Sequence, residues 1–382
     1  MRHVLMHTDH RMNFEDRLRV FRDTASVVME THMHCEIHGR SCELKRADIH
    51  VSGTPCVAWS SQGLRVGASG ASALSFFSWI GQRRLIQERG ILHENVPDFP
   101  VSLLVTCLSD LYIVGEDTSV VINSTEQGQP AERARRLSWL RHKSTQFANP
   151  RHIGWPAFSK LFRRDCRIDW SHYFVASKAE LDEELRWARP SSTYHVEGGV
   201  GDSSFEQALN SNERAWLRRY EELCPCGVVN LEQHPDLHTQ HNSGKPSLQT
   251  VIRKCSLMMS TVHRRWLLSK ELLLTLNLPV YEQYAMLGAR CSFNAVRADL
   301  GFPPRRRSAM HSQAGNAMSI PVMTTCLLWW IAGHAFPLKH REGEGVDMLK
   351  EMRLCLSRYA ARESQEEEPE EPRARKAQKT KR

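Results

Sequence analysis

The chain has 382 residues, of which 41% are hydrophobic and 25% charged, with a formal net charge of +8. These figures are those of an ordinary globular protein with one large domain or two smaller ones, not of a low-complexity chain. The first ten residues (MRHVLMHTDH) lack the apolar core of a signal peptide, and the eleven cysteines follow no repeating spacing, so free thiols in a reducing compartment are expected.

Strand-like and helical stretches alternate over the first ~145 residues. Residues 47–52 (ADIHVS) and 90–96 (GILHENV) read as strands, and 75–86 between them as a helix. This alternation predicts a parallel α/β sheet. From 147 to 262 periodicity is weak and Pro, Gly, Ser and His are frequent, as in a loop-rich insert with its own small core. Helical patterning returns over 264–336. The apolar run 317–336 has about the length of a membrane span, yet it holds Pro321, Gly333 and His334 and reads as a buried helix. The last twenty residues hold six acids and six bases, a low-complexity tail expected to be disordered. Because that tail cancels itself, the positive excess sits in the folded body. It suits a polyanion such as nucleic acid, although many soluble proteins carry as much.

Five segments carry candidate chemistry. In 48–63 (DIHVSGTPCVAWSSQG) an apolar strand runs into Gly-Thr-Pro-Cys, with Ser60 four residues and Gly63 seven residues after Cys56. A strand-end turn in an α/β sheet points into the ligand crevice, where a cation or helix N-terminus can activate a thiol. A lone cysteine is more commonly a buried structural residue. The second segment is Glu94-Asn95-Val96, at the end of an apolar run. The third, 128–135 (GQPAERAR), brings Arg133 and Arg135, which could equally lie on a basic solvated face. The fourth, 265–279 (RWLLSKELLLTLNLP), holds Arg265, Leu267, Glu271 and Pro279. Its Asn277 can adopt the positive φ usually left to glycine. The fifth is Gln313-Ala314-Gly315-Asn316, followed by Pro321-Val322, with Asn316 placed as a helix N-cap.

In this order and at these intervals, the five segments resemble the cytosine-5 DNA methyltransferase family over roughly residues 23–336. The resemblance implies a Rossmann-like S-adenosylmethionine-dependent methyltransferase sheet with a smaller irregular target-recognition insert. It divides the chain into an N-terminal catalytic part (1–146), the insert (147–262), a return to the catalytic domain (263–336) and a C-terminal extension (337–382), disordered from about 363. It implies Cys56 as the nucleophile on cytosine carbon-6, and Glu94 as the hydrogen-bonding partner of ring nitrogen 3. Arg133 and Arg135 support the base, Pro55 and Asn316 lie on the S-adenosylmethionine side, and Ser60 and Asn95 on the substrate side. An electron-rich ring accepts a thiolate only when it is protonated or strongly hydrogen-bonded, which a buried carboxylic acid can supply.

Val57 and Ala131 stand where the family usually has Gln. The family's Phe-x-Gly-x-Gly donor loop has no counterpart upstream of Cys56, and residues 23–32 (DTASVVMETH) resemble the helix that follows the family's second strand. The chain is therefore expected to begin just after that loop, through truncation or through loss of donor binding. The expected partner is DNA, with RNA open because one branch of the family acts on transfer RNA. The alternatives are an inactive DNA-binding remnant and a transfer-RNA cytosine methyltransferase. No membrane partner is expected. Arg151, Arg163, Arg164, Arg264 and Arg265 are candidate phosphate holders on charge alone. Cys224, Cys226, His234, His238 and His241 form a rival zinc module, but Cys-x-Cys is not the usual ligand spacing, and no metal is assigned. The basic residues 373–382 could be an import signal or a solvated tail, which implies the nucleus in a eukaryote and the cytoplasm otherwise.

Overall fold

The computed structural model describes residues 12–13, 15–16, 19, 31–35, 38–60, 67–69, 71–145, 154–188, 204–237, 241–252, 257–278, 280–281 and 314–333. Gly63, Arg151, His238, Pro279, Gln313 and the tail from 334 onward lie outside these residues, as does the helix expected over 23–32 except at Thr31 and His32. The chain divides into two compact units. One comprises residues 1–145 and 162–327, the other 146–161 and 328–382.

A hairpin of β1 (His32–Cys35) and β2 (Arg40–Glu43) forms a two-stranded sheet of its own. The main sheet contains β3 (Ile49–Gly53), β4 (Gly90–Asn95), β5 (Tyr112–Ile113), β6 (Ser119–Ile122) and β7 (Arg135–His142), in the order β3-β4-β7-β5 with β6 also on β7. Helix α1 (Leu74–Ile86) makes the crossover between β3 and β4, which pair in parallel as expected. The rest of the sheet corrects the all-parallel expectation. β7 runs antiparallel to β4, β5 and β6, so the architecture is α/β with a mixed sheet. The reason is local: β6 returns into β7 through residues 123–134 without a crossover helix, and such a connection reverses the chain. Segment 128–135 is thus a loop entering a strand, not a helix face.

All six residues of β4 are buried, as befits a strand paired on both edges. Side chains alternate between its faces. Ile91 and His93 face the core formed with α1 and with α2 (Val101–Leu108), where Phe76, Phe77, Ile80, Leu104 and Leu108 are fully buried. Leu92 and Glu94 face the other side.

Helices α3 (Trp155–Phe162), α4 (Lys178–Ala188), α5 (Ser204–Gln207) and α6 (Ser211–Leu223) precede a second sheet of β8 (Val228–Asn230), β9 (Met258–Ser260) and β10 (Arg265–Trp266). Its alternating side chains serve two cores. Val228 and Met258 pack with Trp170, Leu248 and Leu272, whereas Val229, Met259 and Trp266 pack with Phe205, Leu217 and Tyr220. α6 starts on a reciprocal cap: Asn210 Oδ1 accepts from the Glu213 N–H at 2.9 Å, and Glu213 accepts from the Asn210 N–H at 2.7 Å. Among the described residues, α7 (Ser269–Leu274) and α8 (Ile320–Gly333) follow. Among the described residues no helix is long and apolar enough to cross a membrane. In the smaller unit the Trp155 ring lies edge-on to Trp329, with centroids 5.7 Å apart.

Candidate active site

The turn carrying Cys56 is held from both sides. Before it, Thr54 is buried at the head of a hydrogen-bond chain. The Val96 N–H donates to Asn95 Oδ1 at 2.9 Å, which fixes the amide's orientation. Asn95 Nδ2 donates to Thr54 Oγ1 at 3.0 Å and to the Thr54 carbonyl at 3.2 Å. Thr54 Oγ1 lies 2.8 Å from His93 Nε2. After the turn, Trp59 is buried edge-on against Phe76 and Phe99, with centroids 5.6 and 5.0 Å apart. The Cys56 carbonyl accepts from the Trp59 and Ser60 N–H groups at 2.9 and 2.8 Å. Between these anchors Pro55 and Val57 are exposed and the free Cys56 thiol is half-buried. The core thus grips Thr54, Ala58 and Trp59 and presents residues 55–57.

The neutral histidines behind the turn make the fold acid-sensitive. His93, enclosed by Phe76, Trp79 and Phe99, has its pKa lowered by burial and then by His50, to about 3. His50 accepts from Trp79 Nε1 at 3.1 Å and is lowered, by burial and then by Arg83, to about 4. Both folded values lie below the ordinary one. The neutral rings therefore contribute stability that is present above about pH 6.5 and lost as the pH falls toward 4 and then 3. At pH 5 fully buried His93 alone accounts for a loss of about 2 kcal/mol. Thermal unfolding should show a lower Tm at pH 5 than at pH 7.5, and His93→Phe should shrink that difference.

Glu94 ends the central strand on the opposite face. Its register partners are Gly53 on β3 and Leu137 on β7, which places Arg135 diagonally beside it on the same face. Arg135 Nε lies 2.9 Å from Glu94 Oε1. Burial raises the Glu94 carboxyl pKa, and Arg135 and Arg133 only partly oppose that rise. A Cβ built on Gly53 would meet Glu94 Oε2 at 2.9 Å and Met318 Cε at 2.7 Å, so a side chain here would force the ends of Glu94 and Met318 to shift. The buried Arg133 guanidinium donates to the carbonyls of Val251 at 3.2 Å, Gly315 at 3.1 Å and Ala317. This spans segments more than a hundred residues apart in sequence.

The structure thus brings Glu94, Arg133 and Arg135 together at the end of β4, with the Cys56 turn leaving the adjacent end of β3. Asn95 points to the other face, where it holds Thr54. Ser60 is half-buried in the turn. Asn316 is exposed in a helical turn at 314–316, ahead of α8, and is not the N-cap expected of it. Arg264 and Arg265 are not phosphate holders: Arg264 engages Glu206 and Glu221, and Arg265 is buried against Glu271. Arg163 and Arg164 are exposed. Among the described residues of the rival zinc stretch, no three ligand atoms come together. Cys224 is buried and Cys226 exposed, while His234 and His241 accept from the backbone at Asp236 and Ser243. The positioning residues Gly53, Thr54 and His93 escaped sequence reasoning. The glycine and threonine directly before Pro55-Cys56 were the available signal.

Open α/β sheets bind ligands in the crevice beyond the carboxyl ends of parallel strands. Here β3 and β4 are the parallel pair; Glu94 lies at the carboxyl end of β4 and Cys56 three residues beyond that of β3. No protein-family model matches the chain, and no curated protein matches it in sequence. Solved structures similar to it include a protein described as a DNA modification methyltransferase encoded within an E. coli prophage. That protein is 12% identical, with a TM-score of 0.41, over 75% of this chain and 79% of that one. A methyltransferase of Entamoeba histolytica is 12% identical, with a TM-score of 0.39, over 82% and 93%. The Dnmt2 methyltransferase of S. pombe is 11% identical, with a TM-score of 0.40, over 73% and 77%. These are distant likenesses.

Proposed function

We propose that the chain acts on cytosine in DNA as a cytosine-5 methyltransferase, with Cys56 as nucleophile. The observation that carries this reading is the buried Glu94 carboxyl, held by Arg135 beside the strand end that leads to Cys56. A stacked cytosine is out of reach of any side chain, so the base is flipped out of the duplex. Glu94, whose pKa burial raises, donates to ring nitrogen 3 in its protonated form. The Cys56 thiolate forms a bond to carbon-6, and the ring electrons move to carbon-5, which becomes the nucleophile. Arg135 orients Glu94, and Arg133 braces the wall that carries Met318.

The methyl donor implied by the resemblance is S-adenosylmethionine. Pro55 and Asn316, both exposed, are the residues proposed for its side of the crevice. The outer edge of β3 has no strand partner among the described residues. The chemistry derived from the described residues ends at the activated ring.

The test is covalent trapping. The full chain, duplex DNA carrying 5-fluorocytosine and S-adenosylmethionine should yield a complex that survives denaturing electrophoresis. No adduct with DNA overturns the reading, and an adduct with transfer RNA alone overturns its DNA half. Gly53→Ala should slow trapping on the order of 10²-fold, because an added methyl pushes the Glu94 carboxylate out of place. Its Tm should move by only a few degrees, since Gly53 is exposed.

A further inference from the structure

The β1–β2 hairpin lacks what normally holds a hairpin together. Its strands are four residues each, they pair with no other strand among the described residues, and none of their side chains is fully buried. An isolated two-stranded hairpin is at best marginally stable in water. Small elements without a core are held by a disulfide or a metal.

Its register points to the second. Cys35 pairs with Arg40 and Met33 with Cys42, so the two cysteines lie diagonally on one face. The turn between the strands closes through Gly39, at φ 60°, whose N–H donates to the Cys35 carbonyl at 2.8 Å. His38, one residue earlier, reaches back over the same face, and its Nδ1 lies 3.3 Å from Cys42 Sγ. The ligand atoms of Cys35, His38 and Cys42 all lie within 4.8 Å of one another, and they are the one such group among the described residues. In a tetrahedral site with Zn–S of about 2.3 Å and Zn–N of about 2.0 Å, ligand atoms stand about 3.6 Å apart, so closure needs movements of roughly an ångström or less.

We propose that Cys35, His38 and Cys42 bind one zinc ion that staples the hairpin, with water as the fourth ligand. Two thiols and an imidazole nitrogen form the soft donor set zinc prefers over magnesium or calcium, and binding releases the two thiol protons to solvent. The hairpin leads through residues 44–48 into β3, so the staple fixes the entry to the strand whose far end carries Cys56.

Elemental analysis of the full chain after dialysis against zinc should find one zinc per chain. Cadmium titration should give a thiolate charge-transfer band saturating at one equivalent. Cys35→Ser and Cys42→Ser should each weaken binding on the order of 100-fold, with unchanged far-ultraviolet circular dichroism. Hydrogen exchange over 32–43 should slow with zinc and recover on chelation. The double variant Cys224→Ser/Cys226→Ser should keep its zinc. A metal-free wild-type chain, a Cys35–Cys42 disulfide in its place, or zinc retained by the Cys35→Ser/Cys42→Ser double variant would overturn the proposal.

Discussion

Cys56→Ser should abolish the trapped complex with 5-fluorocytosine DNA while leaving the fold intact. A serine hydroxyl is a far weaker nucleophile at neutral pH than a thiol, which is partly ionised there. The fold should survive because Cys56 is half-buried and the anchors of its turn, Thr54 and Trp59, are untouched. Glu94→Gln separates the partner's role. The amide keeps the shape and can still donate a hydrogen bond, but it cannot deliver a proton, and trapping should slow by about 10²–10⁴-fold. The pH profile supplies the sign. Burial raises the Glu94 pKa and the protonated form donates, so the wild-type rate falls as pH rises through that raised value. The glutamine variant should lose this alkaline limb. A Cys56→Ser chain that still forms the adduct would remove Cys56 from the mechanism.

The largest expected effect on stability comes from Glu271→Ala. The Glu271 carboxylate is fully buried and accepts four hydrogen bonds, each of 2.8 Å: two from the Arg265 guanidinium, one from the Leu268 N–H and one from the Ala176 N–H. Arg265 is itself buried, its guanidinium 4.6 Å from the centre of the Phe174 ring. Removing the carboxylate strands a buried cation and two backbone donors, which costs about 3–5 kcal/mol. Against a typical stability of about 5–15 kcal/mol, that is enough to lower Tm by about 10 °C or to leave the chain insoluble. Arg265→Met in the same chain should return part of the loss, since a paired apolar replacement leaves no orphaned charge. Thermal melts of the single and double variants check both statements, and a double variant less stable than Glu271→Ala would contradict this account.

What could be read from the sequence was local. The strand at 49–53, the helix at 74–86 and the strand at 90–95 follow from the spacing of their apolar residues. Asn277 does take a positive φ, 57°, as its place after the Leu-rich segment suggested. Long-range pairing was not legible. Nothing in 128–142 announces that β7 runs antiparallel beside β4. Nor does the charge of Arg264 or Arg265 reveal that Glu206, Glu221 and Glu271 already hold them. The same limit applies to the candidate site. Cys56, Glu94, Arg133 and Arg135 stand out as motif residues, whereas Met318 against Gly53 and His93 beneath Thr54 are juxtapositions made only by folding. The cluster of Cys35, His38 and Cys42 was missed because a turn brings its third member back from the opposite strand.

Arg133 also sets an order of assembly. Its three carbonyl partners lie at 251, 315 and 317, so the loop after β6 cannot reach its final state while the chain is complete only through the main sheet. On a ribosome the strand ends bearing Cys56 and Glu94 are made early, but their wall closes only after the segment around residue 317 has emerged and docked. Such distant closures form late because the entropy of the intervening loop must be overcome first. A nascent chain interrupted before that point would hold Cys56 and Glu94 on strand ends that Arg133 does not yet brace, and this closure would come among the last events of synthesis.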